Sequence, residues 1–166
     1  MKYVIITPAH NEERFIEKTI LSMITQTVRP LKWIIVNDGS TDRTSEIIGK
    51  YLSQNDFIDL LNVERGAERS FGNKAKAFNL GVQHLKKMDY EFIGNLDADI
   101  VFDSNYYANI LQVFSEDWKL GVCGGIVYTT VGNTYVTTDR TLNSVGGAVQ
   151  LFRRECFADI GAGYMP

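Results

Sequence analysis

The feature that most constrains the fold is an alternation. Short apolar runs rich in β-branched residues, Tyr3 to Thr7, Lys32 to Asn37, Ile58 to Val63 and Tyr90 to Leu96, are separated by longer segments of helical period. Parallel strands need crossovers of a dozen or more residues, usually helices, so this pattern predicts an α/β fold with a mostly parallel sheet. A chain of 166 residues fills one hydrophobic core and not comfortably two, so one domain is expected over residues 1–166.

Local signals divide the chain further. Asn11 is expected to cap a helix beginning at Glu12 and Glu13, with Ile16, Ile20 and Ile24 stacked at i, i+4, and ending near Thr27. A second helix runs from about Arg43, with Ile47, Ile48, Tyr51 and Leu52 as its core face. A loop from Glu64 to Asn73 precedes a third helix over Lys74 to Leu85, and Ser104 caps a fourth running to about Ser115. Gly121 to Val131 reads as extended, and Gly132-Asn133 turns it back into Thr134 to Thr138. Val145 to Phe152 reads as a further strand and Arg153 to Ile160 as a short helix.

Composition excludes several classes of function. Seventeen basic residues against 20 acidic ones give a net charge of −3, without the basic surplus of a generic nucleic-acid binder. Cys123 and Cys156 form no CxxC, and His10 and His84 are too far apart in sequence to suggest a zinc site, so both cysteines read as small core hydrophobes in a reducing cytosol. MKYVIITPAH holds no signal-peptide core, and no apolar run approaches the ~20 residues of a membrane span. The expected location is cytoplasmic, including the inner face of the membrane.

Ligands of open α/β sheets collect at the carboxyl ends of the parallel strands. Three polar clusters fall there: Pro8 to Glu12, Asn37 to Ser40, and Asp97-Ala98-Asp99. If the backbone stays extended, Asp97 and Asp99 project to one side and repel each other. A hard divalent cation relieves the repulsion, and Mg2+ characteristically takes one or two carboxylates plus substrate phosphate oxygens. The competing reading is that both aspartates merely end a strand and satisfy loop amides. Lys74 and Lys76, near a helix N-terminus, oppose its dipole unless an anion such as phosphate is present. Arg65 and Arg69 read as partners of Glu64 and Glu68, and His10 as a loop residue. Asp38 either starts a turn through Gly39 and Ser40 or accepts a hydrogen bond from a ligand such as a nucleobase imide.

TPAHNEE at Thr7 to Glu13, VNDGSTDRT at Val36 to Thr44, GNKAKAFNLG at Gly72 to Gly81 and LDADI at Leu96 to Ile100 occur in that order. Together they resemble the family-2 glycosyltransferases. The resemblance implies a GT-A-like three-layer α/β/α sandwich with a Rossmann-like nucleotide-binding half, a nucleotide-diphosphate sugar as donor, most often a UDP-sugar, and transfer with inversion to a saccharide or lipid-linked acceptor. It implies that Pro8, Ala9 and Glu12 border the nucleoside, that Asp38 bonds the base, and that Lys74 contacts the nucleotide. Asp97 and Ala98 would lie at the ribose side, and Asp99, with Asp97, would hold Mg2+ or Mn2+.

The family's usual lead-in GGY stands here as GAGY, Gly161 to Tyr164, and an aromatic residue is more usual where His10 stands. The acidic motif that carries the family's general base is expected beyond Pro166, so the sequence reads as the nucleotide-binding part of a transferase whose C-terminal part is missing. Asp139, Glu155 and Asp159 are expected in structural or surface roles. Three other readings compete: a nucleotide-sugar binding module that never transfers sugar, a haloacid-dehalogenase-like phosphotransferase, and a nucleotidyltransferase. DxD on the fourth strand rather than the first argues against the phosphotransferase, and a first loop without glycine argues against the nucleotidyltransferase.

Overall fold

A computed structural model describes residues 1–64, 71–132, 134–137 and 144–161. A six-stranded sheet runs through the centre, built from β1 (Tyr3–Ala9), β2 (Lys32–Asp38), β3 (Ile58–Val63), β4 (Phe92–Leu96), β5 (Val122–Cys123) and β8 (Val149–Arg153). Their order is β3-β2-β1-β4-β8-β5. The first four are mutually parallel, whereas β8 pairs antiparallel with both β4 and β5. A separate antiparallel hairpin joins β6 (Tyr128–Val131) to β7 (Thr134–Thr137).

Strand periodicity assigns each side chain of β1 to a layer. Tyr3, Ile5 and Ala9 pack with Trp33, Phe92 and residues of α1 (Ile16–Ile24), α2 (Thr44–Leu52) and α4 (Tyr106–Glu116). Val4 and Ile6 face the opposite cluster, beneath α3 (Phe71–His84) and α5 (Arg154–Asp159), where Phe78 and Phe157 meet edge to face. The result is the expected α/β/α sandwich with helices on both faces. Buried Trp33 donates from Nε1 to Thr7 Oγ1 at 2.9 Å, so the one polar interruption of β1 is satisfied inside the core.

Several boundaries differ from the sequence reading, each for a physical reason. Asn11 takes φ 58°, and its Oδ1 accepts a hydrogen bond from Thr41 N at 2.8 Å; it therefore clasps a neighbouring loop instead of capping α1, which starts four residues beyond Glu12. The Ser104 carbonyl accepts from Thr27 N, and α4 begins at Tyr106, where Gln26 Oε1 takes the Tyr107 amide. The helix α3 begins at Phe71, three residues into the expected loop.

The expected extended run from Gly121 to Val131 is split between two sheets. At Gly124 an added Cβ would lie 2.3 Å from the Val149 carbonyl oxygen, and at Gly125 2.7 Å from the Tyr106 ring. This close passage, open only to glycine, separates β5 from β6. The last expected strand is likewise shorter, with Val145 to Ala148 outside β8. Val131 pairs with Thr134, which confirms the hairpin. Cys123 and Cys156 are half-buried, and Cys123 packs against the core cluster. Asn133, Thr138, Asp139, Arg65, Glu68, Arg69 and the Ala162-Gly163-Tyr164 part of GAGY lie outside the described residues, as does Pro166.

Candidate functional site

Strand order creates the site. From β1 the chain builds outward to β2 and β3 on one side and returns to β4 on the other, so a crevice opens beyond the carboxyl ends of β1 and β4. Three sequence clusters converge there.

The first two clusters hold each other. Asn11 N donates to Ser40 Oγ at 3.0 Å, Glu12 N to Thr44 Oγ1 at 2.8 Å, and Glu13 N to Asp42 Oδ2 at 3.0 Å. Thr44, fully buried, passes its own hydroxyl proton toward Asp42 Oδ1 at 2.6 Å. His10 Nδ1 donates to the Asp38 carbonyl at 2.7 Å, the loop role expected for it, and this fixes the Nδ1-protonated tautomer. In the turn after β2, Asn37 Oδ1 accepts from Ser40 N at 3.2 Å. Asp38 is half-buried at the end of β2.

The third cluster leaves the sheet at Leu96. Ala98 and Asp99 form a turn, so the extended geometry that would align both aspartates is replaced by a bend. The bend is fastened at two points: Asp97 N donates to the Ala148 carbonyl at 2.8 Å, and Thr19 Oγ1 donates to the Ala98 carbonyl at 2.8 Å. Ala98 is buried, as is Ala9. Pro8 is half-buried beside them, and Asp99 is exposed.

Across the crevice, Lys74 in the first turn of α3 places Nζ 2.6 Å from Asp97 Oδ1. A cation at a helix start is disfavoured by the dipole, and Asp97 offsets that cost. Lys76 is exposed nearby. Burial raises the Glu12 carboxyl above its ordinary value; the charges of Asp99, Asp42 and Asp97 raise it further, and Lys74 draws it down. Glu12, Asp97 and Asp99 thus share one field, with carboxylates outnumbering the lysine.

Sequence reasoning missed Asn95. Its side chain is 1% exposed, and Nδ2 donates to the Gly147 carbonyl at 2.8 Å and lies 3.4 Å from Asp97 Oδ1. Asn95 Oδ1 is buried without a partner among the described residues. An asparagine inside an apolar strand was the available signal.

Among the described residues no group of three or more His, Cys, Asp or Glu is arranged to enclose a metal ion. The carboxylates that could meet a hard cation here are Asp97, paired with Lys74, and exposed Asp99, on either side of the bend. No helix among the described residues is long and apolar enough to cross a membrane.

Comparison with known proteins agrees with this fold. The poly-β-1,6-N-acetyl-D-glucosamine synthase of Staphylococcus aureus (strain COL) is 30% identical over 173 aligned residues, covering 92% of this chain and 39% of that protein. The chain therefore spans about two fifths of the length of the curated relatives it matches. Among solved structures, S. aureus TarS 1–349 in complex with UDP is 20% identical with a TM-score of 0.76, over 99% of this chain and 50% of that one. The mannosyltransferase PcManGT from Pyrobaculum calidifontis, in complex with GDP-Man and Mn2+, is likewise 20% identical with a TM-score of 0.71, over 99% and 47%. These likenesses establish the GT-A fold. The model of glycosyl transferase family 2 matches residues 4–160, and the chain belongs to that family.

Proposed function

We propose that this chain forms the donor-binding half of an enzyme that transfers a sugar from a nucleotide-diphosphate sugar to a hydroxyl of a saccharide or lipid-linked acceptor, with inversion. The observation that carries this reading is the Lys74–Asp97 pair at the β1/β4 crevice, with Asp99 and Glu12 in the same field. A lysine at a helix start supplies positive charge where a diphosphate would lie, and two carboxylates beside it supply metal ligands. UDP-N-acetylglucosamine is the first donor to test, because a relative is named as an N-acetylglucosamine polymer synthase and a structural neighbour was solved with UDP.

In this reading Pro8, Ala9 and Glu12 border the nucleoside, and Asp38 accepts from the base imide. The backbone at Asp97-Ala98 follows the ribose, and Lys74 turns from Asp97 to the phosphates. Asp99, with Asp97, holds Mg2+ or Mn2+, and a bound ion of this kind supplies Lewis-acid stabilisation of the departing diphosphate. The acceptor oxygen forms its bond to the anomeric carbon as the bond to the β-phosphate oxygen breaks. The acceptor proton passes to a base that is not assigned to any residue of this chain.

Calorimetric titration of UDP, GDP and ADP in the presence of Mn2+ tests the donor class. UDP binding more tightly than the other two supports the reading. Absence of binding by all three to a chain that circular dichroism shows to be folded overturns it.

A further inference from the structure

Residues 97–105 belong to no helix or strand, so their backbone polar groups must find partners outside regular structure. One face of α1 and of the turn that follows it supplies them. Thr19, Ser22 and Gln26 recur at helical spacing, and all three are buried although polar. Thr19 Oγ1 donates to the Ala98 carbonyl at 2.8 Å, and Ser22 Oγ accepts from Phe102 N at 3.4 Å. Gln26 is used at both ends: Nε2 donates to the Asp103 carbonyl at 2.6 Å, and Oε1 accepts from Tyr107 N at 3.0 Å. Thr27 N closes the series on the Ser104 carbonyl at 2.9 Å.

Burial of Ile16, Ile20 and Met23 already seats α1 on the sheet, but apolar burial has no direction. The polar stripe adds one, because each hydrogen bond fixes a particular backbone group at a particular place.

The bonds differ in consequence. Ala98 stands between Asp97 and Asp99, and its carbonyl shares one planar peptide unit with Asp99 N. On the near side, Asp97 is held by its own amide on the Ala148 carbonyl and by Lys74. On the far side Asp99 is exposed, and the next bond from α1 comes at Phe102. Rotation of the Ala98–Asp99 peptide would therefore swing Asp99 while Asp97 stayed in place. Thr19 opposes that rotation. It is fully buried, so a carbonyl turned away from it would leave its hydroxyl unpaired inside the core.

We propose that Thr19 is a positioning residue that sets the Asp99 carboxylate relative to Asp97 for a divalent cation, while Ser22 and Gln26 tie the rest of the segment to α1. The part played by the cation rests on the donor function proposed above. The anchoring itself needs no ligand.

The test compares the parent chain with Thr19→Val, Thr19→Ser and Gln26→Leu, by calorimetric titration of UDP in EDTA and in Mn2+ and by amide hydrogen exchange without ligand. Thr19→Ala replaces Thr19→Val if circular dichroism shows the valine variant unfolded. In Thr19→Val the amides from Asp99 to Phe102 are expected to exchange about fivefold faster or more, and the Mn2+ enhancement of UDP binding to fall about fivefold or more, with affinity in EDTA within about twofold of the parent. Thr19→Ser keeps the parental behaviour in all three. Gln26→Leu lowers stability without touching Ala98 and keeps the enhancement, which separates positioning from a general loss of stability. An enhancement that survives in Thr19→Val, falls equally in Gln26→Leu, or is not restored by serine overturns the positioning role and leaves the donor reading intact. Unchanged exchange from Asp99 to Phe102 in Thr19→Val overturns it as well. A parent chain that binds UDP equally with and without Mn2+ overturns the metal-assisted donor reading and the positioning role with it.

Discussion

Lys74 Nζ and Asp97 Oδ1 lie 2.6 Å apart, joining the first turn of α3 to the end of β4 across 23 residues of sequence. Both side chains keep part of their surface in solvent, 44% for Lys74 and 25% for Asp97. Exposed pairs of this kind contribute little to stability, commonly ~0–1 kcal/mol. In the proposed function, the pair holds the lysine in readiness for an anion.

Replacing Lys74 by methionine therefore separates stability from binding. The urea midpoint of the free chain is expected to move little, and the UDP dissociation constant to rise about tenfold or more, the loss of one charge-assisted contact to phosphate. Paired urea melts and calorimetry check this, and unchanged UDP affinity would show that Lys74 does not meet the nucleotide.

Thr44 joins the first two loops through both functions of its hydroxyl, accepting from Glu12 N and donating to Asp42. Thr44→Val keeps the shape and removes both bonds in a fully buried position. A stability loss of about 1–3 kcal/mol is expected, accompanied by weaker UDP binding, with Thr44→Ser restoring both. Valine behaving like threonine in both assays would mean that the clasp does not organise the crevice.

The Glu12 carboxyl is raised in the folded chain by burial first and by the surrounding aspartates second. A raised acid holds its proton longer in the native state than in the unfolded chain. Its effect is to lower stability as pH climbs from the ordinary value of 4.5 through the folded one, and to change nothing below 4.5. Glu12→Gln should thus melt higher than the parent at pH 7 and level with it at pH 4 in thermal scans without ligand. An advantage at pH 4 that disappears at pH 7 would reverse the assigned sign.

Gly94 lies where β1, β4 and β8 are pressed together. A Cβ there would meet Ile5 Cδ1 at 2.6 Å and the Gln150 carbonyl oxygen at 2.8 Å, the latter on backbone that cannot step aside cheaply. Gly94→Ala is expected to cost about 1–3 kcal/mol, seen as a lower urea midpoint at constant slope. A variant as stable as the parent would mean that the sheet relaxes around the methyl group.

The strands were readable because β-branched runs between turn residues leave one backbone solution, and the parallel order followed from the helices between them. What could not be read was long-range. Asn11 has the side chain of a helix cap, and only the approach of Thr41, 30 residues away, makes it a clasp. Asn37 and Asp38 are chemically similar as turn-formers, and the bond that Asn37 Oδ1 accepts from Ser40 N is visible only in the folded chain. Lys74 and the two aspartates were legible as charges at strand and helix ends, whereas their meeting depends on the crossover of α3 and on the Ala148 carbonyl that anchors the bend. The split of the run from Gly121 to Val131 was hidden for a related reason: Gly124 and Gly125 read as an extended segment, and it is their close passage by Val149 and Tyr106 that divides the run into two sheets.

The most direct measurement is calorimetric titration of UDP into the parent chain and into Asp99→Ala, each with and without Mn2+. The account predicts that Mn2+ tightens UDP binding to the parent tenfold or more, and that Asp99→Ala abolishes this enhancement while keeping the fold. Equal UDP affinity with and without the ion, or an enhancement that survives in Asp99→Ala, would contradict the assignment of this crevice as a metal-assisted diphosphate site.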